Sequence, residues 1–176
     1  MAGAPGPDGK IRLGVFLSGQ HPPELSATAA VRDHLEQVAL ARELGLDSVW
    51  AGQHFLSHPF QMFQSVPLLA RMAAEAEGMT VGAAILLLTL LNPVEAAENV
   101  ATLDAIAGGR FVLGVGFGYR AVENAAFGVR SRRADLFERK LDAVRRLLAG
   151  ETVTQEESAM SKREWAELMA TLGRKS

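Results

Sequence analysis

The sequence predicts an α/β fold of parallel strands, each followed by a covering helix, with about four such units. Three observations carry that expectation. Apolar segments begin near residues 11, 46, 79 and 110, at spacings of about 35, 33 and 31, the length a parallel strand needs to cross back over its sheet through a helix. The segments are short and mostly apolar throughout rather than alternating, as strands covered on both faces are. They also lead through polar or glycine-containing loops into stretches of helical period. A barrel closed by eight units takes about 250 residues. This chain has 176 and four units, so the expected architecture is a half-barrel plus a C-terminal helix.

In chain order, the Gly-, Pro- and Ala-rich residues 1–10 read as a flexible leader, and the domain proper as 11–150. Ile11 to Leu17 reads as the first strand. Ser18 to Pro23 follows as a loop, because consecutive prolines oppose both helix and central strand. Thr28 to Leu44 places Val31, Leu35, Val38, Ala41 and Leu44 at helical spacing, with Gly45 as terminator. Leu46 to Ala51 is the second strand, and a helix introduced by Ser65 and Pro67 runs to about Glu77 before Gly78. Met79 to Leu88 is the third strand. The next helix has the clearest start in the chain: Asn92 caps it, Pro93 at its first position has no amide hydrogen to leave unsatisfied, and Glu95 sits at the capping-box position. Gly108 and Gly109 end it, Arg110 to Val115 forms the fourth strand, and Gly116-Phe117-Gly118-Tyr119 follows as a loop. Arg133 to Leu148 carries Leu136, Phe137, Leu141, Val144, Leu147 and Leu148 on one helical face, with Gly150 behind them. Residues 151–176 supply no fifth strand and read as a tail whose Ser161 and Glu164 begin a helix.

Composition bounds the function. With 48% hydrophobic residues the chain can bury a core, and a net charge of −2 without a basic stripe argues against a nucleic-acid partner. The absence of cysteine excludes disulfides, thiolate nucleophiles and cysteine-ligated metals, and MAGAPGPDGK lacks the apolar core of a signal peptide. The longest apolar run, Val81 to Leu91, contains Gly82 and Thr89 and falls short of the roughly 20 residues that span a bilayer. A cytoplasmic protein without a membrane partner is expected.

Residues 92–119, NPVEAAENVATLDAIAGGRFVLGVGFGY, form a complete helix, strand and glycine-loop unit. Together with IRLGVFL, LGLDSVWAGQH and RADLFERKLDAVRRLLAGETVT, in that order, they resemble the luciferase-like monooxygenase superfamily across Ile11 to Thr154. The resemblance implies a TIM-barrel type of fold, of which this chain holds the first half, and a flavin-dependent oxidoreductase. Reduced FMN or a deazaflavin coenzyme would act on a small organic substrate. It also implies that His54 stands near the reactive edge of the ring, in a catalytic role. Similar enzymes usually carry Glu before this histidine, and Gln53 departs from that pattern while keeping hydrogen-bonding capacity. Gln53, Thr89, Asn92, Gly116, Gly118 and Tyr119 are then the expected cofactor-binding positions.

Each candidate has a plainer reading. His54 can be an ordinary strand-end histidine, Asn92 a helix cap, and the glycines a means of tight chain reversal. His54 and His58 are four apart, but Pro59 opposes a regular helix and no third ligand is evident, so no metal site is assigned. Gly114, Gly116 and Gly118 lack the glycine at the sixth position of a dinucleotide fingerprint, where Tyr119 stands. Arg130, Arg132 and Arg133 can meet phosphate or simply form a solvated helix start. Two other functional classes stay open: a non-catalytic half-barrel serving as an interaction subunit or remnant, and an open nucleotide-binding sheet. Unpaired edges of a half-barrel further predict a homo-oligomer or a partner chain that completes the barrel.

Overall fold

The computed structural model describes residues 9–129 and 133–154. Its elements are β1 (Gly14–Leu17), β2 (Gln20–His21), α1 (Ala27–Glu43), β3 (Ser48–Ala51), β4 (Gln61–Met62), α2 (Ser65–Glu75), β5 (Thr80–Leu87), α3 (Pro93–Ile106), β6 (Phe111–Gly116), α4 (Ala121–Ala126) and α5 (Arg133–Leu148). A short 3-10 turn at Leu88–Leu90 joins β5 to α3. The four long strands form one sheet in the order β1-β3-β5-β6, every pair parallel, as the regular spacing predicts. The expected leader lies largely, and the expected tail helix wholly, outside the described residues.

Alternation along the strands assigns the two faces of the sheet. Leu17, Val49, Ala51, Val81, Ala83 and Leu86 turn toward α1, α2 and α3 and are buried among Val38, Leu69, Met72 and Leu103. Each fully buried valine, leucine or methionine among them contributes about 1.5–3 kcal/mol. A second cluster joins α5 to the rest through Val144, packed with Leu88, Ala96 and Ala97. The opposite face carries Gly14, Phe16, Trp50 and Gly82. The Trp50 ring lies over Gly82, where any Cβ would collide with it, and its Nε1 donates to Ser48 Oγ at 2.9 Å.

Helix boundaries follow local chemistry. Asn92 Oδ1 accepts from Val94 N at 2.9 Å with Pro93 at the first position, so α3 starts where the sequence predicts. Gly45, Gly78, Gly108 and Gly109 have φ between 61° and 84°, in the left-handed region that ends helices.

Three segments differ from expectation. The first strand begins at Gly14 rather than Ile11, because Asp47 takes Leu13 N on its carboxylate at 2.7 Å and gives its own N–H to Leu13 O, so the approach to β1 is held from the neighbouring loop. Ser18 to Pro23 is not all loop: Gln20 and His21 pair antiparallel with Met62 and Gln61, and His21 stacks on Phe63 with ring centroids 4.6 Å apart. The chain after the glycine loop also contains α4, whose six residues AVENAA are too short a run to announce a helix by period.

Candidate functional site

The carboxyl ends of β1, β3, β5 and β6 open into a cleft of about 620 Å³. His54, Gly116, Gly118 and Tyr119 line it together, so the histidine and the glycine loop lie at the same end of the sheet. The walls are largely apolar, with Phe16, Met62, Ile85, Leu87 and Phe117, and the polar lining comes from Ser18, Gln20, Gln53 and His54. Met62 and Gln20 reach the cleft from the small β2-β4 ribbon, which therefore forms one rim.

The floor is shaped by an irregularity in β5. Its pairing with β6 shifts between Ala83 and Leu86, and Ala84-Ile85 is a cis peptide. The shift turns Ile85 toward the cleft, half-exposed, and sets its side chain over Gly114 and Gly116. A Cβ on Gly116 would overlap Ile85 Cδ1, and one on Gly114 would lie too close to Ala83 O. These two glycines therefore make room for the neighbouring strand. Gly118 is the loop glycine with a left-handed backbone, φ 66°, and strain on substitution belongs to that position.

The remaining expected site residues divide. Gln53 is 5% exposed, lines the cleft and accepts from Leu87 N at 2.9 Å, so it ties the ends of β3 and β5 together. Thr89 is not at the cleft: it is buried and donates from Oγ1 to Phe117 O at 3.0 Å, bracing the glycine loop from behind. Asn92 caps α3 and, with Glu95, Asn99 and Phe127, faces a second cavity of about 410 Å³, which Gln53 also lines. Of the three arginines, Arg130 and Arg132 lie outside the described residues. Arg133 is not simply solvated: it donates to Gly118 O at 3.0 Å and sits 5.8 Å from the Phe117 ring centroid.

Two side chains that sequence reasoning missed complete the surroundings of His54. Glu123 of α4 is 1% exposed, and its Oε1 lies 3.0 Å from His54 Nδ1 and 2.8 Å from Phe55 N. Arg120 reaches the same oxygen at 3.4 Å and donates to the carbonyls of Phe55 at 2.7 Å and Leu56 at 3.0 Å. Among the described residues Glu123 Oε2 is buried without a hydrogen-bond partner, a situation that costs about 1–3 kcal/mol for a polar atom. Tyr119 packs edge-on against His54, centroids 5.8 Å apart. The spacing Arg120-x-x-Glu123 was the available signal, a same-face pair on a helix turn, but nothing local ties it to His54, 69 positions away.

Lys140 of α5 is the other unforeseen contributor. Its Nζ donates to Thr89 O and Leu91 O, each at 2.7 Å, fixing the turn that leaves β5. Burial pushes its amine below the ordinary lysine value, and the Arg139 charge adds to the shift.

The pattern of the luciferase-like monooxygenase family matches residues 11–167. The chain belongs to that family. Limonene 1,2-monooxygenase of Rhodococcus erythropolis is 30% identical over 150 residues, covering 84% of this chain and 38% of that enzyme. F420-dependent glucose-6-phosphate dehydrogenase of Amycolatopsis mediterranei is 38% identical over 101 residues, covering 55% of this chain and 30% of that enzyme. Among solved structures, monooxygenase RslO1 from Streptomyces bottropensis superposes with a TM-score of 0.75 at 28% identity, over 83% of this chain and 45% of that one. The chain thus spans less than half the length of each of these luciferase-like relatives. No helix among the described residues is long and apolar enough to cross a membrane.

Proposed function

We propose that this chain builds one wall of a flavin- or deazaflavin-dependent oxidoreductase site, monooxygenase-like in its chemistry, that acts on a small organic substrate. One observation carries the reading: His54, the bulged floor of β5 and the backbone of the glycine loop line a single cleft at the carboxyl ends of parallel strands. Names of family relatives point the same way, one being a monooxygenase and another a dehydrogenase that depends on F420.

The residues present fit the ring portion of such a coenzyme. Ile85, Leu87 and Phe16 offer apolar surface to a flat aromatic system, and the main chain at Gly116 and Gly118 offers polar groups beside it. The cleft lining contains no Lys or Arg among the described residues, so a coenzyme phosphate would be held outside this wall. When bound, the coenzyme supplies hydride transfer or oxygen activation. The chain's own part is to orient, to exclude water with its apolar wall, and to present the His54 imidazole for proton exchange with reacting groups. Gln53, which holds β5 in register, and Thr89, which braces Phe117, act on the site through the backbone.

Among the described residues, β1 and β6 each pair on one side only in the sheet. A second copy or a partner chain that completes the barrel belongs to the same proposal, because open parallel edges invite further strands. Residence in the cytoplasm belongs to it as well, in keeping with a chain free of cysteine.

Titration of the purified chain with oxidised and reduced FMN and with a deazaflavin coenzyme, read by absorbance and fluorescence, tests the proposal. Saturable binding is expected with at least one of them. His54→Ala should leave that binding within about threefold and lower turnover by roughly 10²–10⁴, the range for loss of a general acid or base. A folded chain that binds none of these coenzymes would favour a non-catalytic half-barrel. Binding without turnover would show that chemistry awaits the chain or copy that closes the barrel.

A further inference from the structure

Behind His54 stands a buried carboxylate whose geometry goes beyond loop support. Glu123 Oε1 gathers three donors, Phe55 N at 2.8 Å, His54 Nδ1 at 3.0 Å and Arg120 Nη1 at 3.4 Å, while Oε2 has no partner among the described residues. Phe55 N–H and the guanidinium only donate, and Oε1, as the carboxylate oxygen ion-paired with Arg120, has no hydrogen to give, which puts the hydrogen shared with the imidazole on Nδ1. A neutral imidazole carries one N–H, which leaves Nε2 as the nitrogen with a free lone pair. The His54 side chain is 26% accessible within the cleft lining, and Tyr119 edge-on at 5.8 Å restrains the ring.

We propose that Glu123 is the positioning residue of His54: it holds the neutral ring in its Nδ1–H form, so that Nε2 meets the cleft as an acceptor for an O–H or N–H of the bound substrate or coenzyme. The part about ligand rests on the cleft being the coenzyme site, while the tautomer does not. A latch that only pinned residues 54–56 needs no imidazole among its donors, since Arg120 already holds the carbonyls of Phe55 and Leu56. Of the residues that donate to Glu123 Oε1, His54 is the one that also lines the cleft. The preference extends to ligand class: a hydroxyl or amine donor is favoured at Nε2 over a carbonyl oxygen or an anion, which would meet a lone pair.

Nitrogen and carbon NMR of the histidine-labelled chain reads the tautomer directly, with the His54 signal assigned by its loss in His54→Gln and observed on the alkaline side of the ring's titration. The expected result is an Nδ1–H ring in the wild type. Glu123→Ala should shift the tautomer ratio toward Nε2–H by roughly tenfold or more, as loss of a hydrogen bond to a charged acceptor entails. Glu123→Gln, whose amide oxygen can still accept, should keep the Nδ1–H form. An Nε2–H ring in the wild type, or an unchanged ratio in a folded Glu123→Ala chain, overturns the proposal. Should the alanine variant fail to fold by circular dichroism, the wild-type spectrum decides alone. Coenzyme titration of the same samples is independent: failure to bind would count against the functional reading while leaving the tautomer result intact.

Discussion

The two faces of the same four strands are built on opposite rules. Toward the helices, Val49, Ala51, Val81, Ala83 and Leu86 are at most 1% exposed, and the face is filled to contact. Toward the cleft, the strands are cleared of side chains at Gly14, Gly82, Gly114 and Gly116 to admit Ser48, the Trp50 ring, Ala83 O and Ile85, and Phe16 and Ile85 stay open, at 54% and 40%. Stability lives on the first face and the cleft on the second. Neighbours in sequence can therefore differ in what they do: Ile85 and Leu86 are adjacent and similar in volume, yet one shapes the cleft and the other the core.

The sharpest way to break that contrast is to truncate both. Leu86→Ala should cost about 2–5 kcal/mol, the range for a buried leucine, and Ile85→Ala less than about 1 kcal/mol, both read by urea denaturation. Equal losses would mean that the cleft face is as tightly packed as the core. A smaller effect tests the clearing itself. Gly82→Val drives a side chain into the Trp50 ring and should cost about 1–3 kcal/mol as overpacking, whereas Gly116→Ala meets only the end of Ile85, which can rotate. The second change should leave the denaturation midpoint nearly unmoved while weakening coenzyme binding, because it pushes Ile85 further into the cleft.

The smallest expected effect concerns the brace behind both faces. Lys140 has its amine lowered chiefly by burial, so the unfolded chain binds more protons than the folded one between the folded value and about 10.5. Stability contributed at this site therefore rises as pH climbs through that window, and the penalty on the charged form is fully present below it. Lys140→Met should flatten this part of the stability profile in thermal melts across alkaline pH. It should also loosen the amides of the Leu88–Leu90 turn in hydrogen exchange, since two carbonyl contacts vanish. A variant with the wild-type slope would place its origin elsewhere.

What the chain settles by itself is what depends on near neighbours. Asn92 and Pro93 start α3 through a contact two residues long, and the helix-ending glycines need only their own backbone freedom. The strand spacing is set by chain length against a right-handed crossover, so the parallel order and the shared end of His54 and the glycine loop were legible before any coordinates. Tertiary structure decided which side each residue serves. A continuously apolar strand carries no alternation to mark its faces, so Ile85 and Leu86 were indistinguishable, and Gly116, which lines the cleft, gave no sign that Ile85 packs against it. Thr89 and Asn92 were placed by the turn after β5, which points one behind the glycine loop and the other away from the cleft. Glu123 became the partner of His54 only when α4, too short to show a period, packed beside the end of β3. A hydrogen bond across 69 residues leaves no local trace, because its energy depends on where two separate elements are brought by the packing of everything between them.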